Sequence, residues 1–253
     1  MKKKEENELK TSESLMRNGN ILHAKECGHK PPISGMIEGC VKKMSLAQDV
    51  LNKSHFKKTA LISVSDRKGL VAFTKGLKKL GFSFVASGRN ADYLEKHGIR
   101  ALKTSRLTGW PPIMNPQGVK TIHPRIYGGI FVNPNKKDHL TDVRRYGIIP
   151  FNIVVCNFYP FERTITRRGF NHKDAIRNLD IGGPAMVRAA AKHYAYRTVL
   201  VDPADYTKVL KELREKEEVD MATRRLLSIK AFERCIEYDN SIVKYLKRVG
   251  YGM

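Results

Sequence analysis

TALISVSDRKGLVAFTKGLKKL, Thr59 to Leu80, is an apolar run closed by serines and followed at once by an amphipathic helical pattern. A short strand that feeds a helix is the repeating unit of a parallel sheet wrapped by helices. The unit recurs downstream. FSFVAS (Phe82–Ser87) reads as a second strand, followed by a turn at Gly88 and a helix from Ala91 to His97. IRALK (Ile99–Lys103) and FNIVVCNF (Phe151–Phe158) read as further strands, the latter buried on both faces, and RTVLV (Arg197–Val201) as the last. Helices are expected over Asp138–Tyr146, Lys173–Leu179 and Pro184–His193, and Ala204–Leu246 reads as mostly helical. Between them, WPPIMNPQG (Trp110–Gly118) is a long loop whose prolines cannot pair in a central strand, and YGGIFV (Tyr127–Val132) reads as extended. The expected fold is α/β: a mostly parallel, Rossmann-type sheet flanked by helices, with a helical C-terminal portion.

Residues 1–57 are polar, mixed in charge and without sustained periodicity, so residues 58–253 are expected to form the domain and 1–57 a loosely structured N-terminal extension. Met44 is an alternative start of translation. The 253 residues carry 47 Lys and Arg against 25 Asp and Glu, a formal charge of +22. That field attracts phosphate, but the basic residues are spread over the whole chain, with no RNA-recognition aromatics or zinc-finger spacing, so a dedicated nucleic-acid role is the lesser reading. The chain has neither an apolar run of spanning length nor the hydrophobic segment of a secretory signal, so a soluble, cytoplasmic protein without a membrane partner is expected. Cys27, Cys40, Cys156 and Cys235 lack paired spacing and are read as reduced thiols; His23, Cys27, His29 and Cys40 match no zinc pattern closely, and no metal is expected.

In open parallel sheets ligands bind beyond the carboxyl ends of the strands, and the polar motifs fall there. Ser63 and Ser65 close the first strand, and Ser87 with Gly88 closes the second. Hydroxyls and free amides at a helix start suit a phosphate, although Ser65 or Asp66 can equally serve only as a helix cap. CNFYPF (Cys156–Phe161) places Asn157 and Tyr159 after the fourth strand, where a phenol can donate to an oxyanion and an amide can meet a ligand, or where Tyr159 can simply pack. Cys156 is read as a wall residue. DIGGPAMVRAAAK (Asp180–Lys192) sets an acid before a glycine turn and an amine near the far end of the helix that follows. These can be proton-handling groups, or a cap and a dipole partner.

Taken together, SVSDRKG (Ser63–Gly69), VKTIHP (Val119–Pro124), CNFYPF and DIGGPAMVRAAAK occur in one colinear order that resembles inosine monophosphate (IMP) cyclohydrolase, the N-terminal, methylglyoxal-synthase-like domain of the bifunctional purine-biosynthesis enzyme. The resemblance runs from about Thr59 to Leu246. It implies closure of 5-formamidoimidazole-4-carboxamide ribonucleotide (FAICAR) to IMP with loss of water, without a cofactor. It assigns catalysis to Asp180, Lys192, Tyr159 and Lys120, and substrate binding to Ser63, Ser65, Arg67, Ser87, Gly88, Thr121, Asn157, Ile181, Gly182 and Gly183. A separate formyltransferase is expected to supply the substrate, and the oligomeric state stays open, a homodimer among the options. Three departures stand out. Arg67 replaces the lysine of the family's SDKTG, Arg89 and Asn90 replace the glycine and threonine of SGGT, and Gly118 stands where GRVKT has its arginine. Arginine at a position of positive φ is strained; alternatively Arg89 adds a phosphate contact. A domain that binds nucleotide with weakened catalysis is therefore the first alternative, and a basic nucleic-acid-associated protein the second.

Overall fold

The computed structural model describes residues 58–114, 119–159, 161, 165, 169 and 171–249. The N-terminal extension, Met44, the His23–Cys40 group and the Gly118 departure lie outside them. Five strands, β1 (Lys58–Ser63), β2 (Phe82–Ala86), β3 (Leu102–Lys103), β4 (Ile153–Cys156) and β5 (Thr198–Leu200), form one sheet in the order β3-β2-β1-β4-β5. All four pairings are parallel, as the strand-helix alternation predicts.

Parallel strands need crossovers, and the helices that supply them cover both faces. The side-chain period of two decides which residue meets which layer. Ala60 and Ile62 of β1, with Ile153 and Val155 of β4, face α1 (Leu70–Lys79) and α8 (Tyr206–Lys216) through Phe73, Leu77, Val209 and Leu213. Leu61, Val154 and Cys156 face the other way, onto α4 (Pro124–Phe131), α7 (Gly182–Lys192) and α9 (Met221–Val249) through Ile126, Met186, Ala190 and Tyr238. Each layer is fully dry at its centre: Leu61, Ile62, Phe73 and Tyr238 are buried to 0–1% exposure. The remaining helices are α2 (Gly88–Glu95), α3 (Thr104–Thr108), α5 (Lys137–Tyr146) and α6 (His172–Arg177).

One expected strand is a helix. YGGIFV belongs to α4, and its missed start signal is His123-Pro124. Proline fits the first helical position because its absent N–H is not needed there, and His123 Nδ1 accepts from the Arg125 N–H at 3.1 Å as the cap. The two glycines of this segment are packing devices. A Cβ on Gly129 would stand 2.2 Å from the Ile149 carbonyl oxygen and 2.7 Å from the Phe151 ring, so only glycine lets α4 press onto the segment entering β4. Trp110 and Met114 are exposed, in keeping with the loop expected there.

Candidate active site

The strand order turns at β1: the chain runs outward to β3, then returns to place β4 on the other side of β1. The carboxyl ends of β1 and β4 lie at that switch point, the usual ligand position in such a sheet. One residue laces them. Asn157, directly after β4, accepts through Oδ1 from the backbone N–H groups of Ser65 (2.7 Å) and Asp66 (2.9 Å), and its Nδ2 donates to the Asp66 carbonyl at 2.9 Å. The side chain expected to meet the ligand amide is thus a brace, with one N–H remaining on its amide nitrogen.

Neither Ser65 nor Asp66 caps α1. Gly69, in the left-handed region at φ 68°, is the cap position, and Asp66 Oδ1 instead accepts from the Lys68 N–H within its own turn. Ser65 is exposed at the loop's rim. Opposite it, Ser87 precedes α2, and Gly88 and Arg89 occupy the first turn of that helix, where amide N–H groups point outward. Arg89 adopts a negative φ, so the arginine is unstrained in its helical position, and its side chain is exposed. Arg67 crosses between the two loops: its guanidinium lies over the Tyr93 ring, 4.5 Å to the centroid, and donates to the Arg89 carbonyl at 3.1 Å. Asn90, buried, donates to the Val64 carbonyl (3.0 Å) and to Ser87 Oγ (2.9 Å). These bonds fix the Ser63–Gly69 and Ser87–Asn90 loops side by side.

The start of α7 meets the end of β4, where Cys156 Sγ approaches the Gly183 carbonyl at 3.8 Å. Asp180 Oδ1 accepts from the Gly183 N–H at 2.8 Å, its own N–H donates to Tyr238 Oη at 2.8 Å, and a Cβ on Gly183 would fall 2.6 Å from Oδ2. The carboxylate is therefore seated on the helix start, and glycine at 183 is what makes room for it. Thr121, buried, lies so close that its Oγ1 would be 3.1 Å from a Cβ on Gly182. This draws Lys120, exposed on the same short segment, to the same corner. Cys156 completes the wall: burial, then the Asp180 and Cys235 charges, push its thiol well up, so it is a neutral, inert group. Because Gly183 spends its N–H on Asp180 and Pro184 has none, Gly182 is the glycine whose amide is left for an oxyanion at this turn.

Tyr159 and Lys192, expected in catalysis, and Ile181, expected in substrate binding, are exposed in different degrees. Tyr159 is 40% exposed in the segment after β4, two residues beyond the Asn157 brace. Ile181 is 68% exposed at the mouth of α7. Lys192 is exposed at the opposite end of that helix, about 15 Å along the axis from Gly182 at 1.5 Å per residue. It shares a flank with Ala185 and Arg188, and Arg188 is paired with Asp239 of α9. The structure brings Thr121, Asp180, Gly182 and Gly183 together; it does not bring Lys192 to Asp180.

Known proteins match parts of this chain. Residues 69–185 fit the family model described as the MGS-like domain, and residues 190–251 the model described as the AICARFT/IMPCHase bienzyme. Those two segments match the MGS-like and AICARFT/IMPCHase families. The bifunctional purine biosynthesis protein PurH of Persephonella marina is 46% identical over 187 residues, 74% of this chain and 36% of the relative. PurH of Bacillus cereus strain B4264 is 44% identical over 190 residues, 75% of this chain and 37% of the relative. The chain thus spans a little over a third of the length of these curated relatives. The crystal structure of ForH superposes with a TM-score of 0.62 at 29% identity, covering 75% of this chain and 97% of that one. Among the described residues, no helix is long and apolar enough to cross a membrane.

Proposed function

We propose that this chain is an IMP cyclohydrolase, closing FAICAR to IMP with loss of water, the last step of de novo purine biosynthesis, on a formylated substrate made by a separate transferase activity. The observation that carries the reading is a braced polar loop after β1 and a helix-seated carboxylate at the start of α7, both beside the β1/β4 switch point. The nucleotide phosphate sits at the Ser63–Gly69 and Ser87–Gly88 loops, among the hydroxyls, the first-turn amides of α2 and the Arg67 guanidinium. The base lies toward Asp180, Thr121 and Lys120.

Ring closure asks a delocalised carboxamide nitrogen to attack a poorly electrophilic formamide carbon. Holding the two groups in contact supplies much of the acceleration, and the remainder comes from moving protons. Asp180 accepts or orients the proton of the attacking nitrogen. Lys120, Tyr159 and the Gly182 amide face the oxygen that gathers charge as the tetrahedral centre forms. Lys192 is the amine that the resemblance names for the second proton. From its exposed flank it serves the reaction from the solvent side and not by touching Asp180.

Incubating the 253-residue chain with FAICAR and following the ultraviolet change on purine formation tests this. Turnover is expected; a folded protein that neither turns over nor binds IMP overturns it. The second reading is a nucleotide-binding domain with weakened catalysis, favoured by Arg89 and Asn90 at the phosphate loop. Its signature in the same experiment is IMP binding without product.

A further inference from the structure

Tyr238 of α9 is a buried phenol tied to Asp180 by a direct bond. Its Oη accepts from the Asp180 N–H at 2.8 Å, across 58 residues of sequence. Asp180 lies between the last turn of α6 and the first of α7, outside both helical ladders, so its N–H needs an acceptor from elsewhere and the phenol supplies it. The Tyr238 ring is fully buried, and two phenylalanines meet it edge-on, Phe158 at 5.1 Å and Phe161 at 6.4 Å between centroids. Packing alone would need only a phenylalanine at 238; a phenol taken out of water has to be paired, and this one is paired with the Asp180 turn. Phe158 and Phe161 bracket Tyr159 in CNFYPF. One rigid side chain is thus the common footing of the Asp180 turn and the Tyr159 segment. The bond also joins the two matched segments, since Asp180 lies within residues 69–185 and Tyr238 within residues 190–251.

We propose that Tyr238 is a positioning residue for the cyclohydrolase reaction: its hydroxyl fixes the main chain at Asp180 while the Gly183 N–H fixes the carboxylate, and the two bonds together hold the proton acceptor in its working place. The proposal rests on the cyclohydrolase reading. The Gly183 bond is local, within one turn, so its two partners can shift together; the Tyr238 bond ties that turn to a second element of the core. The arrangement described is the one that the reaction uses, and losing the Tyr238 bond lets the carboxylate drift from it. A small misplacement of a reacting group is costly in rate, whereas ligand affinity draws on many other contacts.

Tyr238→Phe removes one oxygen and keeps the ring. Thr223→Val is its control: it removes a hydroxyl that donates to Glu212 Oε1 at 2.6 Å on the same helix, about 22 Å along α9 from Tyr238 at about 1.5 Å per residue. Thermal melting reports the folded state of each variant, and both are expected to melt about 2–4 °C below the wild type. FAICAR kinetics are then measured well below the melting range. Tyr238→Phe is expected to lose about tenfold in kcat with KM and IMP affinity within about twofold of the wild type, and Thr223→Val to keep the wild-type constants. Wild-type kcat in Tyr238→Phe, a loss that falls on KM instead, or an equal kcat loss in both variants overturns the proposal, since the bond is then only structural. If Tyr238→Phe does not fold, Phe158→Leu, which loosens the ring and keeps the hydroxyl, decides: a kcat loss of about threefold at unchanged KM is expected, and wild-type kcat overturns the proposal. A wild type that does not turn FAICAR over overturns the cyclohydrolase reading and this proposal with it.

Discussion

Arg67 Nε lies 3.4 Å from Asn90 Oδ1, across the Ser63–Gly69 and Ser87–Asn90 loops. Both residues depart from the family pattern, and the departures touch. Asn90 also bonds Val64 and Ser87, while Arg67 bonds the carbonyl of Arg89, which departs from the pattern with Asn90. The altered loop is one connected unit, stitched by side chains where the family pattern has a small glycine and a threonine.

Asn90→Ala is therefore expected to cost stability beyond its size. It leaves the buried Val64 carbonyl without its side-chain donor and removes the partner of Ser87 Oγ, a loss of about 1–3 kcal/mol. Arg67→Ala, at a half-exposed position, should cost less, about 1 kcal/mol, mostly through the lost Tyr93 contact. Urea denaturation of the two single variants and the double variant measures both losses and their coupling. Equal midpoints for wild type and Asn90→Ala would show that the loops do not depend on this side chain.

Asp180 combines two duties that substitution can separate. Asn at 180 keeps an oxygen to accept from Gly183 but loses the charge and the capacity to take a proton; Ala loses the cap as well. Asp180→Asn is expected to melt near wild type with turnover reduced at least about a hundredfold, and Asp180→Ala to be about 1 kcal/mol less stable in addition. Turnover surviving in the asparagine variant would remove Asp180 as the proton acceptor.

The fold was legible because strands and crossover helices have different periods: the β1–α1 and β2–α2 units and the apolar IVVC of β4 announce themselves in the sequence. YGGIFV misled because its glycines reflect a tertiary approach, with α4 pressed on Ile149 and Phe151, which no local pattern encodes. The site was legible at the level of motif and not of role. Asn157 and Asp180 could be placed at strand and helix ends, but their bonds to Ser65, Asp66 and Gly183 join residues or orientations that spacing alone leaves open.

Acid should expose the ion-pair cluster at the end of β5. Lys230 of α9 binds Asp202 Oδ2 at 2.7 Å and Asp205 Oδ2 at 2.8 Å. The bond from Lys230, then that from the Ala204 N–H, holds the Asp202 carboxyl below its ordinary value of 3.8. A carboxyl depressed in the folded state contributes stability that is full above its unfolded pKa and is lost as pH falls through the folded one. Both groups are well exposed, so solvent keeps the effect small. The melting-temperature gap between wild type and Lys230→Met is expected to be widest above about pH 5 and to close as pH falls through the lowered pKa of the folded Asp202 carboxyl. A gap unchanged across that range would mean that the pairing contributes nothing.

Lys192 carries the largest tension between motif and geometry. The motif gives it a proton to move, whereas the rise of α7 sets it about 15 Å from Gly182. An exposed lysine at the end of a helix contributes to folding mainly through the helix dipole, so Lys192→Ala should change stability by no more than about 0.5 kcal/mol. If the amine serves the reaction from the solvent side, the same variant loses turnover on FAICAR by about tenfold or more while IMP affinity changes little, because the phosphate and base contacts lie at the other end of the helix. Turnover and affinity both at the wild-type level would reduce Lys192 to a dipole partner and leave the chemistry to Asp180, Lys120 and Tyr159.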